Sequence, residues 1–146
     1  MTSSTPIRTA YVTRIEHFSA AHRLNSVHLS PAENVKLFGK CNHTSGHGHN
    51  YKVEVTIKGQ INPQSGMVIN ITDLKKTLQV AVMDPCDHRN LDIDVPYFES
   101  RPSTTENLAV FLWENIKRHL PPSDAYDLYE IKLHETDKNV VVYRGE

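Results

Sequence analysis

Apolar and polar residues alternate along residues 51–58, and this is the clearest strand pattern in the chain. The apolar members of the pattern are Tyr51, Val53, Val55 and Ile57. Extending the two-residue period toward the N-terminus places His47 and His49 on the same face as Tyr51, with Gly48 between them. The pattern therefore predicts a strand on which two imidazoles point side by side toward an interior.

A second segment, from Thr9 to Leu24, is also rich in strand-forming residues. The charged residues Arg14 and Glu16 interrupt its inward parity, which is typical of a strand that is only partly buried. The other members of that parity are Val12, Phe18, Ala20 and His22. His22 lies at the inward-facing end of this strand and could be a third imidazole. The alternative is that His22 is a surface histidine beside Arg23.

Helix signals occur at three places. Residues 30–33, Ser-Pro-Ala-Glu, combine a serine cap, a proline at the first helical position and a returning glutamate, which predicts a short helical turn across Val35 and Leu37. Apolar residues at helical spacing predict a second helix over residues 73–83, ending before Pro85. A third helix is predicted to start at Ser103, whose capping box ends on Glu106. The apolar stripe of this helix consists of Leu108, Phe111, Leu112, Ile116 and Leu120.

The remaining segments predict further strands. Residues 59–66 predict a turn, and residues 67–71 the returning strand of a hairpin. Residues 126–136 and 140–143 predict two strands joined by a tight turn. Hairpin connections imply an antiparallel sheet, and two amphipathic helices can cover only one of its faces. We therefore expect an α+β fold in which the other face of the sheet needs a partner.

Composition narrows the class of protein. With 146 residues, a hydrophobic fraction of 38% and a net charge of −1, the chain fits one globular domain, predicted over residues 9–146 after a mobile leader at 1–8. The sequence has no basic block that would indicate nucleic acid, no apolar run long enough for a membrane and no signal-peptide pattern. We expect a cytoplasmic protein in which Cys41 and Cys86 are free thiols.

Imidazoles two residues apart on a strand can bind one metal ion together, and a neutral ring nitrogen is a good ligand for zinc. Taken alone, the His47 and His49 pair is weak evidence, because histidines in protein cores are often merely hydrogen-bonded. A metal site needs a third ligand, which His22 could supply.

Glu135 indicates a site independently of the histidines. It shares a parity with Tyr129, Ile131 and Leu133, so a carboxylate falls on the apolar face of a strand. Burying an ionised carboxylate is unfavourable unless it is paired or reaches a polar ligand. The alternative is that the strand register is lost at this end and Glu135 is solvated.

Asp87, His88 and Cys41 are ambiguous on their own. A carboxylate beside an imidazole can fix its tautomer and assist proton transfer, but adjacent residues often point apart. A lone cysteine is more often a small core residue than a base, unless a nearby metal and histidine favour its thiolate.

Several separated motifs together resemble the 6-pyruvoyl-tetrahydropterin synthase family over residues 15–146. The motifs are residues 37–41 (Leu-Phe-Gly-Lys-Cys), the spacing from Cys41 to residues 47–51 (His-Gly-His-Asn-Tyr), residues 87–92 (Asp-His-Arg-Asn-Leu-Asp), residues 95–98 (Val-Pro-Tyr-Phe), residues 103–107 (Ser-Thr-Thr-Glu-Asn) and residues 134–136 (His-Glu-Thr). The resemblance implies a tunnelling fold with a four-stranded antiparallel core sheet and two helices on one face. It also implies trimers that close a β-barrel, and a homohexamer of two trimers.

The resemblance further implies roles for individual residues. His22, His47 and His49 would bind one Zn²⁺ per subunit. Cys41 would be the proton acceptor, with Asp87 and His88 as a relay. Glu135 would belong to the catalytic set and anchor the pterin ring, and the residues lining the pterin pocket with it would be Thr104, Thr105 and Glu106.

The implied enzyme is a lyase of tetrahydrobiopterin biosynthesis. It converts 7,8-dihydroneopterin triphosphate into 6-pyruvoyl-5,6,7,8-tetrahydropterin with loss of inorganic triphosphate, and Mg²⁺ would assist with the triphosphate. Four basic residues are equal candidates for binding that group: Arg23, Lys36, Lys40 and Arg89. Two positions depart from the expected pattern. His43 adds an imidazole that could compete for the metal or lie in the turn, and we favour the turn; Cys86 places a thiol where an aliphatic residue is usual.

Two other functions stay open. A 6-carboxy-tetrahydropterin synthase would share the fold and the substrate, but its cysteine typically stands closer to the His-Gly-His triplet than it does here. A non-catalytic, zinc-stabilised assembly protein would unfold when zinc is removed and would be insensitive to Cys41→Ala.

Overall fold

Five strands form one mixed sheet in the computed structural model, which describes residues 6–146. They are β1 (Thr9–His22), β2 (His47–Gln60), β3 (Arg89–Asn90), β4 (Tyr126–His134) and β5 (Val140–Tyr143). The sheet order is β3-β1-β2-β4-β5. Neighbouring strands are antiparallel except for β3, which pairs with β1 in parallel over two residues. Residues 1–5 of the predicted leader lie outside the described residues.

Helices and helical turns connect the strands. They are α1 (Pro31–Phe38), α2 (Ile71–Leu78), α3 (Asp84–Cys86), α4 (Leu91–Asp94) and α5 (Thr105–His119). The predicted capping box of α1 is confirmed, since Ser30 Oγ accepts from the Glu33 N–H and the Glu33 carboxylate accepts from the Ser30 N–H, both at 3.1 Å. The cap of α5 is Thr104, whose hydroxyl accepts from the Asn107 N–H, and not the predicted Ser103.

The core lies between the inward face of the sheet and the helices α2 and α5. The apolar stripe predicted for α5 faces it, with Leu108, Leu112 and Ile116 fully buried. The alternating apolar residues of β2 are fully buried opposite them. This arrangement confirms the α+β class and the amphipathic character of both long helical segments.

The strand predicted at residues 67–71 is wrong. Val68 and Ile69 are buried as expected of a strand, but the segment is a loop, and both neighbours of β2 are other strands. Asn70 starts α2 instead, because its side chain accepts from the Thr72 N–H at 2.9 Å. The apolar pattern of this segment therefore reflects burial in a loop and not a strand of the sheet.

The helix predicted to stop before Pro85 continues past it. After α2 the chain forms a π-helical turn, Gln79–Met83, and then α3, which contains Pro85. Pro85 has no N–H to give to a preceding carbonyl. The Ala81 carbonyl, four residues earlier, accepts instead from Asn115 Nδ2 on α5 at 3.2 Å. This side chain supplies a donor to that carbonyl, and the π-helical turn Gln79–Met83 leads the chain into α3.

A β-bulge reverses the expected facing of Tyr129. Thr56 pairs with Glu130 and Ile57 pairs with Leu128, so Tyr129 has no partner in the ladder. Its ring contacts Tyr11 on the outward face, with centroids 5.0 Å apart. The prediction that Tyr129 shares the inward face of β4 is therefore wrong, although Ile131 is buried as expected.

The outward face of the sheet carries exposed apolar side chains. They are Tyr11, Ile15, Val140 and Val142, each between 41% and 54% exposed. This exposure agrees with the expectation that the uncovered face needs a partner. Among the described residues, no helix is both long and apolar enough to cross a membrane.

Candidate metal centre

Three imidazoles meet at one end of the sheet. His22 is directly opposite His47 in the β1–β2 ladder, and His49 is opposite Ala20, so all three rings project from the inward face. Their centroids are 4.7–5.2 Å apart. One nitrogen from each ring lies within 4.8 Å of the others, and His22 Nε2 is 3.1 Å from His47 Nε2. The predicted convergence of the three histidines is confirmed.

The tautomer of His22 follows from its neighbour. His22 Nδ1 lies 2.7 Å from the carbonyl oxygen of Ser103, and a carbonyl can only accept, so Nδ1 carries the proton. The neutral ring then has its lone pair on Nε2, the atom that faces His47. Such outer contacts orient metal ligands and raise their basicity.

The electrostatics of the site favour the neutral forms of His22 and His47. Burial lowers the pKa of His22, and His47 and His49 lower it further against the opposing effect of the Ser103 bond. Burial and His49 also lower the pKa of His47, while Glu135 and Asp92 oppose the shift. Neutral imidazole is the form that binds a metal.

The donor set fits a tetrahedral ion with one open position. Zn–N bonds of about 2.0–2.1 Å at tetrahedral angles put two ligand nitrogens roughly 3.3 Å apart. The 3.1 Å between His22 Nε2 and His47 Nε2 is close to that value. Three imidazoles leave a fourth position for water or substrate, as in catalytic rather than structural zinc sites.

The main chain just before β2 packs closely against the end of β1. Gly46, just before β2, has a φ of +74°, and a Cβ there would lie 2.8 Å from the carbonyl oxygen of His22. Any side chain would therefore clash with the strand end that carries the first ligand. Only glycine fits both the left-handed conformation and the space.

Glu135 reaches the site from the end of β4. Its carboxylate accepts a hydrogen bond from the Thr105 hydroxyl, and its Oε1 lies 3.8 Å from His49 Nε2. Its backbone N–H donates to the Asn139 carbonyl at 3.0 Å, which closes the turn to β5. The side chain is 21% exposed, so the alternative of a freely solvated glutamate is not supported.

Cys41 lies on the 3₁₀ turn Gly39–Asn42 and is half-buried. Its carbonyl accepts from the Leu24 N–H at 2.9 Å, two residues after His22. Cys86 is fully buried, which raises the pKa of its thiol to about 12. Both cysteines are free thiols, as predicted.

Asp87 and His88 form no hydrogen bond or ion pair with the three imidazoles in residues 6–146. The Asp87 carboxylate accepts from the Ser19 N–H at 3.0 Å and lies 2.9 Å from His88 Nδ1. The His88 side chain is 84% exposed and lines a cavity of about 410 Å³ whose wall includes Ser19, Asn50 and also His49. The side chains of Ser19 and Asn50 alternate with the metal-site residues on β1 and β2, so within one chain this cavity opens toward the outward side of the sheet.

The other predicted pocket residues have different surroundings. Thr104 caps α5, Thr105 is buried against Glu135, and Glu106 is exposed on the first turn of α5. His43 accepts from the Ser45 N–H at 3.1 Å, which supports its interpretation as a turn residue.

Two residues near the site were not predicted. Asp92 accepts from the Arg23 N–H at 2.6 Å, and its place at the end of the 87–92 motif was the available signal. Tyr51 is fully buried, stacks on Phe18 and contacts the ring of His49. Its hydroxyl is, within residues 6–146, the one buried side-chain oxygen or nitrogen without a hydrogen-bond partner.

Comparison with known proteins gives one consistent result. A family model described as 6-pyruvoyl tetrahydropterin synthase matches residues 11–146. The 6-pyruvoyl tetrahydrobiopterin synthase of Poecilia reticulata is 59% identical over 139 residues, covering 95% of this chain and 92% of the relative. The protein of the same name from Homo sapiens is 57% identical over 137 residues, covering 94% of this chain and 92% of the relative.

Solved structures agree. The structure of Caenorhabditis elegans 6-pyruvoyl tetrahydropterin synthase matches with a TM-score of 0.92 at 42% identity, covering 98% of this chain and 100% of that one. The enzyme of the same name from Plasmodium vivax matches with a TM-score of 0.67 at 15% identity, which shows a shared fold only.

Proposed function

The chain belongs to the 6-pyruvoyl tetrahydropterin synthase family, whose members are lyases, and we propose that it acts in tetrahydrobiopterin biosynthesis on 7,8-dihydroneopterin triphosphate. The product is 6-pyruvoyl-5,6,7,8-tetrahydropterin, and inorganic triphosphate is released. Reduction of the ring and oxidation of the side chain balance within the substrate, so no external redox cofactor is consumed.

One observation carries the proposal beyond the family. Three imidazoles face a common point, and a carboxylate oriented by Thr105 lies 3.8 Å from one of them, His49. A metal-binding group and a separate hydrogen-bond acceptor are thus adjacent. That pairing suits a substrate with oxygen atoms on a side chain and N–H donors on an attached ring.

His22, His47 and His49 are the residues that would hold Zn²⁺, one per subunit. When bound, the ion supplies Lewis acidity toward the side-chain oxygens of the substrate. His22 Nδ1–H keeps its bond to Ser103, so that Nε2 remains the coordinating atom.

Glu135 orients the pterin ring. A carboxylate can accept two hydrogen bonds from the 2-amino and ring N–H groups, and the Thr105 hydroxyl holds it in place. Thr104 and Glu106, at the start of the same helix, complete the proposed pocket. Its carboxylate lies beside both the proposed ring site and His49, so Glu135 belongs to the proposed catalytic set.

Cys41 accepts the proton from the substrate side chain, and Asp87 with His88 relays it. Within one chain the cavity that His88 lines opens toward the outward side of the sheet, so in the proposal the relay comes from a neighbouring subunit. The exposed apolar face of the sheet supports such neighbours, arranged as barrel-closing trimers that stack into a homohexamer. Mg²⁺ accompanies the triphosphate, and the free thiols suit a cytoplasmic location.

The test is incubation of zinc-loaded protein with 7,8-dihydroneopterin triphosphate, followed by mass analysis of the pterin product and of triphosphate. We expect a pyruvoyl product that is lost in Cys41→Ala and retained in Cys86→Ala. A carboxy product with acetaldehyde would instead identify the 6-carboxy enzyme. A folded, zinc-loaded protein without turnover would support a non-catalytic assembly protein, particularly if chelation then unfolds it.

A further inference from the structure

The chain that follows β1 is hydrogen-bonded to the turn that carries Cys41. The Leu24 N–H donates to the Cys41 carbonyl at 2.9 Å, and the Leu24 carbonyl accepts from Asn42 Nδ2 at 2.7 Å. Asn42 Nδ2 also donates to Asn25 Oδ1 at 3.0 Å. Two segments far apart in sequence are thereby held together immediately beside the first metal ligand.

Arg23 contributes to the same contact from the other side. Its Nε donates to the Asn42 carbonyl at 2.8 Å and its Nη2 to Asn42 Oδ1 at 3.3 Å. Asn42 is 5% exposed, and both the nitrogen and the oxygen of its side-chain amide have partners inside the protein. Losing a partner would leave a buried polar atom unpaired, which is costly.

The segment between Leu24 and Asn42, which contains α1, packs little on the core. Hydrogen bonds therefore matter more than apolar contacts for holding the Cys41 turn. Helix α1 exposes Val35 and Leu37 by 60% and 64%. Asn34 on the same helix bonds back to the main chain of Ser26, at 2.7 and 2.9 Å, so this segment is tied mainly to itself. The polar contacts at Asn42 therefore connect the Cys41 turn to the strand that ends in His22.

We propose that Arg23 and Asn42 are positioning residues that fix the Cys41 turn to the strand end carrying His22, so that thiol and metal site keep one relative geometry. The catalytic consequence rests on the proposed function, in which Cys41 accepts the proton. Arg23 is then set apart from the other basic candidates for the triphosphate, since its guanidinium is bonded to Asn42. The planar guanidinium fork reaches two oxygens of one residue, which a lysine ammonium does not reproduce.

The experiment measures alkylation of Cys41 by iodoacetamide in the full chain, followed by mass spectrometry, over a range of pH. Cys86 is an internal reference, because it is fully buried. The variant is Arg23→Lys, which keeps the charge. The matched control is Arg14→Lys, which changes an arginine within β1 whose Nε bonds Glu16 at 2.8 Å instead of the turn.

We expect alkylation of Cys41 to be about five- to tenfold faster in Arg23→Lys than in Arg14→Lys, because losing one hydrogen bond increases the population in which the turn is open. In the same variant, kcat should fall while KM and zinc affinity, measured by competition with a chromophoric chelator, stay within about twofold of the wild type. Asn42→Asp, which removes the amide donors to Leu24 and Asn25, should show the same pattern.

Two results would overturn the proposal. One is unchanged alkylation with a raised KM in Arg23→Lys, which would make Arg23 a triphosphate ligand. The other is unchanged alkylation in both variants together with unchanged kcat. If the wild type lacks synthase activity but alkylation still accelerates in both variants, the positioning role stands and only the proposed reaction fails.

Discussion

His22 Nδ1 donates to the carbonyl oxygen of Ser103 at 2.7 Å, and this contact joins the strand of the first metal ligand to the residue before the cap of α5. The bond selects Nε2 of His22 for coordination. It also explains why the predicted cap fails at Ser103: its side chain is buried beside His22, and Thr104 takes the capping position.

Replacing His22 should abolish tight metal binding without unfolding the chain. His22→Gln removes one of three nitrogens and leaves a partly solvated pair, so we expect zinc affinity to fall about 100-fold or more. Competition with a chromophoric chelator measures this. His17→Gln is the matched control, since it changes an exposed histidine on the same strand. Equal affinity in the two variants would contradict the assigned site.

Thr105→Val should weaken pterin binding and spare the metal. The substitution keeps the volume but removes the donor that holds the Glu135 carboxylate, so we expect KM to rise roughly tenfold, with zinc affinity unchanged. Thr77→Val serves as the control, because it removes a buried hydroxyl that bonds the Asp73 carbonyl at 3.0 Å on α2. A similar rise in KM for both variants would argue against a specific role for Thr105.

Tyr51→Phe should leave stability unchanged or raise it by up to about 1 kcal/mol, because the hydroxyl it removes is buried without a partner. Burial raises the pKa of Tyr51, so the phenol keeps its proton and remains an unpaired donor. Urea unfolding measures the change. Tyr126→Phe, which loses a bond of 2.6 Å to the Pro121 carbonyl, should instead be destabilised by about 1 kcal/mol. A Tyr51→Phe variant less stable than that control would show that the hydroxyl has a partner in solution.

Glu54 and His134 should make a pH-dependent contribution to stability. Their side chains are 2.7 Å apart across β2 and β4, and the hydrogen bond from His134 holds the pKa of Glu54 below its usual 4.5. Because the folded-state pKa is the lower one, the stabilisation is present above pH 4.5 and is lost as the pH falls through the folded value. We expect Glu54→Gln to cost about 0.5–1 kcal/mol at pH 6 and less at pH 3. Urea unfolding at both values tests the sign, and a difference that grows toward acid would refute it.

Parity along the strands predicted the centre of the site. His47 and His49 continue the period of β2, and His22 continues that of β1, so a regular ladder was sufficient to bring all three rings together. Glu135 also faces the site, although β4 ends at the preceding residue. The alternation was reliable here because it extends without interruption from the buried core to the ligands.

The failures occurred where the backbone departs from a regular period. Tyr129 sits at a bulge, which changes the facing of a residue without any signal in composition. At Pro85 the helical path continues after a π-helical turn, and the carbonyl four residues earlier accepts from a side chain of a distant helix, Asn115. The contacts of Arg23 with Asn42 are likewise formed only in the tertiary structure, so no local pattern indicated them.

The glycine before β2 also bears on how such a site can change over evolutionary time. His22 and His47 are partners in the β1–β2 ladder, and a Cβ at Gly46 would lie 2.8 Å from the His22 carbonyl oxygen, so backbone pairing fixes the separation of these strand ends. Exchange of a ligand side chain, such as His47→Cys, would then alter metal preference while the backbone spacing is preserved. Substitution at Gly46 would do the opposite and displace the ligands without touching their chemistry. Substitutions of the ligand side chains would therefore change which metal is preferred, and substitutions at Gly46 would change the geometry of the site.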